Sequence, residues 1–449
     1  VEGEGQDSLF KMVDALVPQI RDELGVSQGW LEGELGATEL STRSVEALQL
    51  YHEGVDHARA GRDLDATKRL EAAVEKDPDF ATARIRLAET YARQGKSDLA
   101  KQEAEKAASG SRLASPYEAA RIRASRARLT GDMVEAGKAY EELCRLAPNS
   151  SEAHFDLAAF REQNRDLEHA LESLKRAIEL DPKNASGRFA LGRVQFGLGD
   201  FEEALSEFSA SFSLHTALGH EEVRARLLNA LGNTSKKMGN LDGALHYYED
   251  ALEVRHKIGD QKGEGDTLRN ISVILKEQGR YDEAVLRVNQ AREIFEKRGD
   301  RAGAADAYFS LGGIYEDQGR VDLALTAYQD SLEIRRNLGD EARLSQSLSS
   351  IGYMYTILGQ YDLASLSQRE CLAKRRALGA KADIVDSLNL VGIVEQLQGR
   401  YDDALKYYVE GKLLAKEIGD RVQGGVLSAN VSNIQMEQGD YEPALASLI

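Results

Sequence analysis

The chain contains very little cysteine and no long apolar run. Cys144 and Cys371 are the only two cysteines among 449 residues. They lie far apart, so the sequence offers neither a disulfide framework nor a metal-ligand spacing. No stretch is apolar for long enough to cross a bilayer. With 29% charged and 42% hydrophobic residues, the composition is typical of a folded protein, and we expect a reducing, cytoplasmic compartment.

The chain also has no net positive charge and no recognisable catalytic motif. Its formal net charge is −18, so the molecule as a whole repels phosphate backbones. Among the eight histidines no His-Glu-x-x-His arrangement occurs, and His215 and His220 are spaced so that they do not share one helical face. Gly95-Lys96-Ser97 is not a phosphate-binding loop, because Thr90 stands where its first Gly is required. We therefore expect no nucleic-acid or membrane partner, no metal, no cofactor and no enzymatic activity.

What the chain does contain is a repeated hexapeptide, first seen clearly at residues 279–284. Close variants begin at Gly319, Gly359, Gly399 and Gly439, each 40 residues after the last. The same glycine-containing turn recurs towards the N-terminus, where the spacing shortens to between 34 and 36 residues. About eleven such units predict a solenoid, in which each unit buries its apolar face by stacking on its neighbours.

Each unit is predicted to be two helices joined by a turn. In the unit 300–339, apolar residues recur at three- and four-residue steps on both sides of a break at Gly319. Gly339 suits the left-handed residue after a helix, and Asp340 can cap the next helix. Small residues such as Gly312 and Ala324 should let the two helices pack closely. We interpret the cations before each joint as offsetting the helix dipole, with a binding ladder as the alternative: Arg255, Lys257, Lys297, Arg298, Arg335, Arg336, Arg375 and Arg376.

These features closely resemble the tetratricopeptide repeat family over residues 44–449. The residues that match the family's packing and unit-ending positions are Leu191, Gly192, Gly199, Ala204, Phe208, Pro78, Pro148 and Pro182. The resemblance implies an all-α, right-handed α-solenoid of about eleven helix-turn-helix units. We expect an N-terminal helical appendage at 1–43, units 1–5 at 44–218, and units 6–11 at 219–449, the last one truncated.

Two finer resemblances concern the late repeats and the N-terminal segment. The 40-residue units are similar to the subclass in kinesin light chains and Pins-type polarity scaffolds, which clamps a partner peptide partly through Asn side chains. Residues 39–48 resemble the entry to repeat arrays in bacterial Ser/Thr kinases. These resemblances imply a piece of a larger bacterial signalling protein, although no kinase signature lies within this sequence.

Amide and basic side chains mark a candidate peptide site on the first helices of the sixth and seventh units. Residues 226, 229, 233 and 236 follow steps of three, four and three, so they share one helical face. Amides can bind a peptide backbone, and cations can bind its carboxylates. The predicted peptide-binding residues are Arg193, Arg226, Asn229, Asn233, Lys236, Arg269, Asn270 and Lys276.

The alternative for these residues is a solvated helix face with no binding role. Because Asp306 and Ser310 replace basic residues in the next unit, the resemblance favours an internal acidic peptide over a free C-terminus. A second, more neutral groove is predicted at Tyr353, Asn389, Ile393, Asn430 and Asn433. The sequence thus predicts a noncatalytic interaction scaffold or sensory module that binds a protein or acidic peptide. A self-associating homo-oligomer is the rival hypothesis.

Overall fold

A computed structural model describes residue 42 and residues 44–110 and 115–442. Those ranges contain 21 α-helices and no strand, which confirms the all-α fold. The appendage predicted for 1–43 lies almost wholly outside the described residues, as does most of the last predicted helix. In chain order the helices are α1 (Val45–Arg59), α2 (Asp63–Lys76), α3 (Ala81–Arg93), α4 (Ser97–Gly110), α5 (Pro116–Thr130), α6 (Met133–Leu146), α7 (Ser151–Gln163), α8 (Leu167–Leu180), α9 (Ala185–Leu198), α10 (Phe201–Ala217), α11 (Glu221–Lys237), α12 (Leu241–Ile258), α13 (Gln261–Glu277), α14 (Tyr281–Lys297), α15 (Arg301–Asp317), α16 (Val321–Leu338), α17 (Glu341–Ile357), α18 (Tyr361–Leu378), α19 (Lys381–Leu397), α20 (Tyr401–Ile418) and α21 (Arg421–Glu437).

The helices pack in consecutive pairs, as expected for a solenoid. Within each pair the odd-numbered helix is the first helix of a repeat and the even-numbered helix is the second. Inside each of the two compact units described next, the second helix then packs on the first helix of the following repeat. The chain forms two compact units, one ending at Ile258 and the other beginning at Gly259. Unit 1 contains α1 to α12 and unit 2 contains α13 to α21. This division falls one 40-residue repeat after the change of spacing near residue 218.

The predicted joints between repeats have the expected geometry. Gly339 has φ of 70°, which costs glycine little because it has no Cβ. Asp340 then accepts a hydrogen bond of 3.1 Å from the backbone N–H of Arg343. The same pairing of a positive φ with an Asp cap occurs at 259–260, 299–300 and 419–420. The turn inside each repeat also needs a positive φ, and between α7 and α8 Arg165 takes the place of its usual glycine with φ of 61°.

Glycines on the first helices seat large side chains from the second helices. A Cβ added at Gly312 would lie 2.5 Å from the Tyr328 ring, and one added at Gly232 would lie 2.6 Å from the Tyr248 ring. Both tyrosines are at most 3% exposed. The sequence predicted close packing of small residues across the pair. The structure shows in addition that the missing Cβ makes room for an aromatic ring.

Candidate functional site

The candidate site lies on the exposed stripe of the first helices, which we call the inner face. It is defined by the positions of Arg226, Asn229, Asn233, Lys236 and Lys237 on α11 and by their equivalents on the other first helices. Of the predicted peptide-binding residues, Arg193 lies on α9 and four lie on α11, all in unit 1. The other three, Arg269, Asn270 and Lys276, lie on α13 in unit 2. The two groups are therefore described separately.

Asn233 is oriented by a tyrosine from the second helix of its own repeat. The Tyr248 hydroxyl donates a hydrogen bond of 2.6 Å to Oδ1 of Asn233. No other residue that the structure describes hydrogen-bonds to this side chain. Because the oxygen of the carboxamide is engaged, its Nδ2 group points away from Tyr248. Asn233 is half-buried, so packing presents its N–H groups as fixed donors on the inner face.

Arg226 lies two helical turns before Asn233 on the same face. Its side chain is exposed, and it forms no ion pair with any residue in the described ranges. Desolvation by the surrounding protein lowers the pKa of Arg226, the carboxylates of Asp63 and Glu222 oppose that shift, and the positive charges of Arg193 and Arg93 reinforce it. The guanidinium nevertheless stays charged, because its normal pKa lies far above neutrality. Arg226 is therefore a cation with acidic groups nearby but with no ion pair among the described residues.

Arg193 is partly committed to a contact within unit 1. Its Nη2 lies 2.9 Å from Oε2 of Glu162 on α7, and its guanidinium lies 5.6 Å from the centroid of the Phe189 ring. Burial raises the pKa of Glu162, although Arg193 opposes that shift. The Arg193 side chain remains 51% exposed. It lies close enough to add positive potential at Arg226.

The predicted cations of unit 2 are paired with acids of the same unit. Arg269 lies 3.4 Å from Asp306 and 3.9 Å from Asp266. Lys276 lies 3.0 Å from Oδ2 of Asp317. Asp306 and Asp317 both belong to α15, the first helix of the next repeat.

Sequence reasoning missed a contact between the first and sixth repeats of unit 1. A Cβ added at Gly61, in the turn between α1 and α2, would lie 2.8 Å from Nη2 of Arg226 and 3.5 Å from Val223. The nearby histidines also meet, with Nδ1 of His215 2.9 Å from Nδ1 of His220. Their spacing gave no hint of this contact, because His220 lies beyond the end of α10. Burial lowers the pKa of His215 to about 4, and the positive charges of His220 and Arg226 add to the effect.

A second missed feature is an ionic cluster on α3, α5 and α7 in unit 1. Arg121 is 4% exposed, and its Nη2 lies 2.8 Å from Glu152, which also pairs with Arg86. Arg86 in turn lies 3.1 Å from Glu89. Burial, reinforced by Glu152 and Glu89, raises the pKa of Asp156 to about 8, against the opposing charge of Arg86. Charged residues at three- and four-residue spacing on first helices could have signalled this cluster.

The cations before the joints do more than offset helix dipoles. Arg335 is 3% exposed, and its Nη1 donates hydrogen bonds of 2.8 Å to the backbone carbonyl of Arg343 and to Oγ of Ser347. Its Nη2 reaches Oδ1 of Asp306 at 2.9 Å. One repeat later, Arg375 forms the equivalent bonds to the Asp383 carbonyl and to Ser387. These buried arginines tie one repeat to the next, which the dipole interpretation did not include.

The described residues contain neither a metal-binding group nor a membrane span. No cluster of three or more His, Cys, Asp or Glu side chains in these ranges is arranged to hold a metal ion. Over the same part of the chain, no helix is both long enough and apolar enough to cross a bilayer.

Comparisons with known proteins agree with this architecture. A tetratricopeptide repeat profile matches residues 184–255, 223–297 and 303–377, and two further profiles of such repeats match residues 159–199 and 51–111. A search of curated proteins finds no match. The chain belongs to the tetratricopeptide repeat family, whose fold is in general a noncatalytic scaffold. Its repeats therefore support the class of protein–protein interaction scaffolds; its narrower repeat subclass stays a prediction.

Solved structures of repeat proteins are similar to this chain. One is PH0952 from Pyrococcus horikoshii, a signal transduction ATPase with numerous domains and a tetratricopeptide repeat sensor. It is 16% identical with a TM-score of 0.53, over 78% of this chain and 51% of that one. BtubC from P. vanneervenii is 23% identical with a TM-score of 0.42, over 49% of this chain and 92% of that one. MamA is 25% identical with a TM-score of 0.36, over 39% and 96% respectively.

Proposed function

We propose that this chain is a noncatalytic adaptor that binds an acidic, extended protein segment on the inner face of α11. The observation that carries the proposal is that Arg226 and Asn233 lie on the same exposed face of α11. An exposed guanidinium without an ion pair lies two helical turns from a carboxamide whose orientation is fixed by Tyr248. The first group suits a carboxylate, and the second suits a backbone carbonyl. Such a segment would pass beside the turn that contains Gly61.

The remaining predicted residues would assist in different degrees. Arg193 would add charge next to Arg226, while Asn229 and Lys236 extend the same face of α11. On α13, Arg269 and Lys276 would have to leave their carboxylate partners before binding an acidic ligand, which lowers the gain from each new ion pair. Asn270 carries no charge and is the α13 position best suited to bind a peptide backbone.

The test compares α11 variants of the full chain with a control pair on a second helix. The probe is a labelled peptide of alternating Glu and Ser residues, with a Lys and Ser peptide for comparison, and affinity is measured by fluorescence anisotropy. Arg226→Ala with Asn233→Ala should weaken binding of the Glu peptide at least tenfold. Arg287→Ala with Asn289→Ala on α14 should leave the affinity unchanged. Equal affinity for the Glu and Lys peptides, or equal loss in both double variants, would refute the site.

The amides can be tested separately from the charge. Asn233→Ala combined with Asn270→Ala should weaken binding while lowering stability by only about 1 kcal/mol, because the hydrogen bond from Tyr248 to Asn233 is lost. A much larger loss in thermal melts followed by circular dichroism would instead assign these side chains to the folding of their repeats.

We propose in addition that the adaptor works in a cytoplasmic signalling assembly in bacteria. The support is the resemblance of residues 39–48 to the entry of repeat arrays in bacterial kinases. Reading the coding sequence on both sides of the region that encodes this chain tests the proposal. A neighbouring kinase or cyclase domain would support it, and a neighbouring structural or secretory domain would contradict it.

A further inference from the structure

The first helices of unit 2 that follow α13 lose the cations of its inner face, and on α15 the only Lys or Arg is Arg301, the first residue of the helix. On α17, α19 and α21 the only Lys or Arg residues are Arg343, Lys381 and Arg421, each in the first turn of its helix. Beyond those turns the three helices carry no cation. The α11 and α13 faces, in contrast, carry the basic residues described above.

Apolar side chains take the inner positions that Asn233 and Lys237 hold on α11. Tyr353 is 46% exposed and Ile357 is 50% exposed on α17, and Leu397 is 48% exposed on α19. Half-buried Ile393 takes the position on α19 that is equivalent to Tyr353. Asn430 on α21 donates a hydrogen bond of 2.8 Å to Asn389 on α19, 41 residues earlier, so the inner stripes of these two successive first helices are in contact. We call Tyr353, Ile357, Ile393 and Leu397 the apolar patch.

Acidic side chains flank the apolar patch. Asp386 precedes Ile393 by two helical turns on the same stripe of α19, is exposed, and has no ion-pair partner within the described part of the chain. Glu437 on α21 is exposed and takes the position equivalent to Leu397. An apolar centre with carboxylates at its edge is complementary to a ligand with apolar anchors and adjacent cations.

We propose that the apolar patch docks a protein segment that combines aliphatic or aromatic anchors with Lys or Arg residues. The anchors cover the patch, and a cation pairs with Asp386. The Asn389 and Asn430 carboxamides lie where they can bind the backbone of the segment. This inference rests on the proposed adaptor function and deepens it, since the two units then select segments of opposite charge.

The experiment uses the full chain and three labelled peptides of equal length, with alternating Leu and Lys, Leu and Glu, or Ser and Lys residues. The Leu–Lys peptide should bind at least tenfold more tightly than either of the others. Ile357→Ser with Leu397→Ser should weaken that binding at least fivefold. Leu366→Ser, at a 66% exposed position on the second helix α18, is the matched control and should have no effect. Asp386→Lys should weaken binding of the Leu–Lys peptide and strengthen binding of the Leu–Glu peptide.

Three results would overturn the inference. They are equal binding of the Leu–Glu peptide, an equal loss in the Leu366→Ser control, and a change of molar mass with Ile357→Ser and Leu397→Ser in a light-scattering dilution series. The last result would assign the apolar patch to contacts between copies of this chain. The Arg226→Ala and Asn233→Ala variant should keep full affinity for the Leu–Lys peptide, so failure of the α11 site and failure of the apolar patch are distinguishable.

Discussion

Two adjacent glycines on α15 should respond in opposite directions to the same substitution. A Cβ at Gly312 would lie 2.5 Å from the Tyr328 ring, whereas a Cβ at Gly313 would lie 3.6 Å from the Tyr328 hydroxyl. The second distance is an ordinary van der Waals contact, and the first is shorter than any that side chains adopt. We therefore expect Gly312→Ala to destabilise the repeat and Gly313→Ala to stabilise it.

The magnitude follows from how firmly the Tyr328 ring is held. To restore an ordinary contact, the ring would have to move by about 1 Å. Tyr328 is 3% exposed, its hydroxyl donates a hydrogen bond of 2.5 Å to Glu316, and its ring lies 5.2 Å from that of Phe309. Overpacking such a site costs roughly 1–3 kcal/mol, and replacing a helical glycine by alanine gains about 1 kcal/mol. Because the ring is fixed at both ends, we expect a net loss of about 2 kcal/mol for Gly312→Ala.

The assay is urea unfolding followed by circular dichroism, together with hydrogen exchange of the α15 and α16 amides. Exchange is needed because repeats of a solenoid can unfold separately. In a Tyr328→Ala background the penalty of Gly312→Ala should disappear, since the clashing ring is absent. The role assigned to Gly312 would be refuted if Gly312→Ala and Gly313→Ala changed the free energy of unfolding equally. It would also be refuted if the cost of Gly312→Ala persisted in the Tyr328→Ala background.

Three further predictions concern buried ionisable groups. Arg335→Ala should cost about 3 kcal/mol or more and Arg375→Ala less in urea unfolding, because only Arg335 also pairs with the Asp306 carboxylate. The pKa of His215 is lower in the folded state than in the unfolded state. The contribution of neutral His215 to the free energy of unfolding should therefore be fully present above about pH 6.5 and fall by about 3 kcal/mol towards pH 4. Since the pKa of Asp156 is raised when folded, Asp156→Asn should stabilise unit 1 increasingly from pH 5 to pH 8, as thermal melts would show.

Each of these predictions has a control. High salt should reduce the difference in unfolding free energy between Arg335→Ala and Arg375→Ala only slightly, because the ion pair between Arg335 and Asp306 is buried. His215→Phe should flatten the acid part of the stability profile. Phe is a suitable replacement because Phe295 takes the equivalent place two repeats later. An unchanged profile would mean that His215 is protonated with its ordinary pKa in the folded protein. A constant effect of Asp156→Asn across the pH range would contradict the raised pKa of that carboxyl.

The sequence by itself determined the repeat and its joints. Periodicity places apolar residues on one stripe of each helix, and a glycine followed by an Asp supplies both the left-handed residue and the next cap. These are local properties, which depend on residues within a few positions of each other. For that reason Gly339 and Asp340 behave as predicted, and the helix pairs follow the predicted phase throughout the described residues.

Only the tertiary structure decided which side chains are committed to partners. Arg269 and Lys276 belong to the same predicted site as Arg226, and Arg335 belongs to the cations before the joints. These three pair with carboxylates, whereas Arg226 forms no ion pair with the described residues. The partners of Lys276 and Arg335 lie 41 and 29 residues away in sequence. Periodicity fixes which face of a helix a residue occupies, but not which charge from the next helix reaches it. That depends on how the helices stack, because a charged group is neutralised only by a partner within a few ångströms.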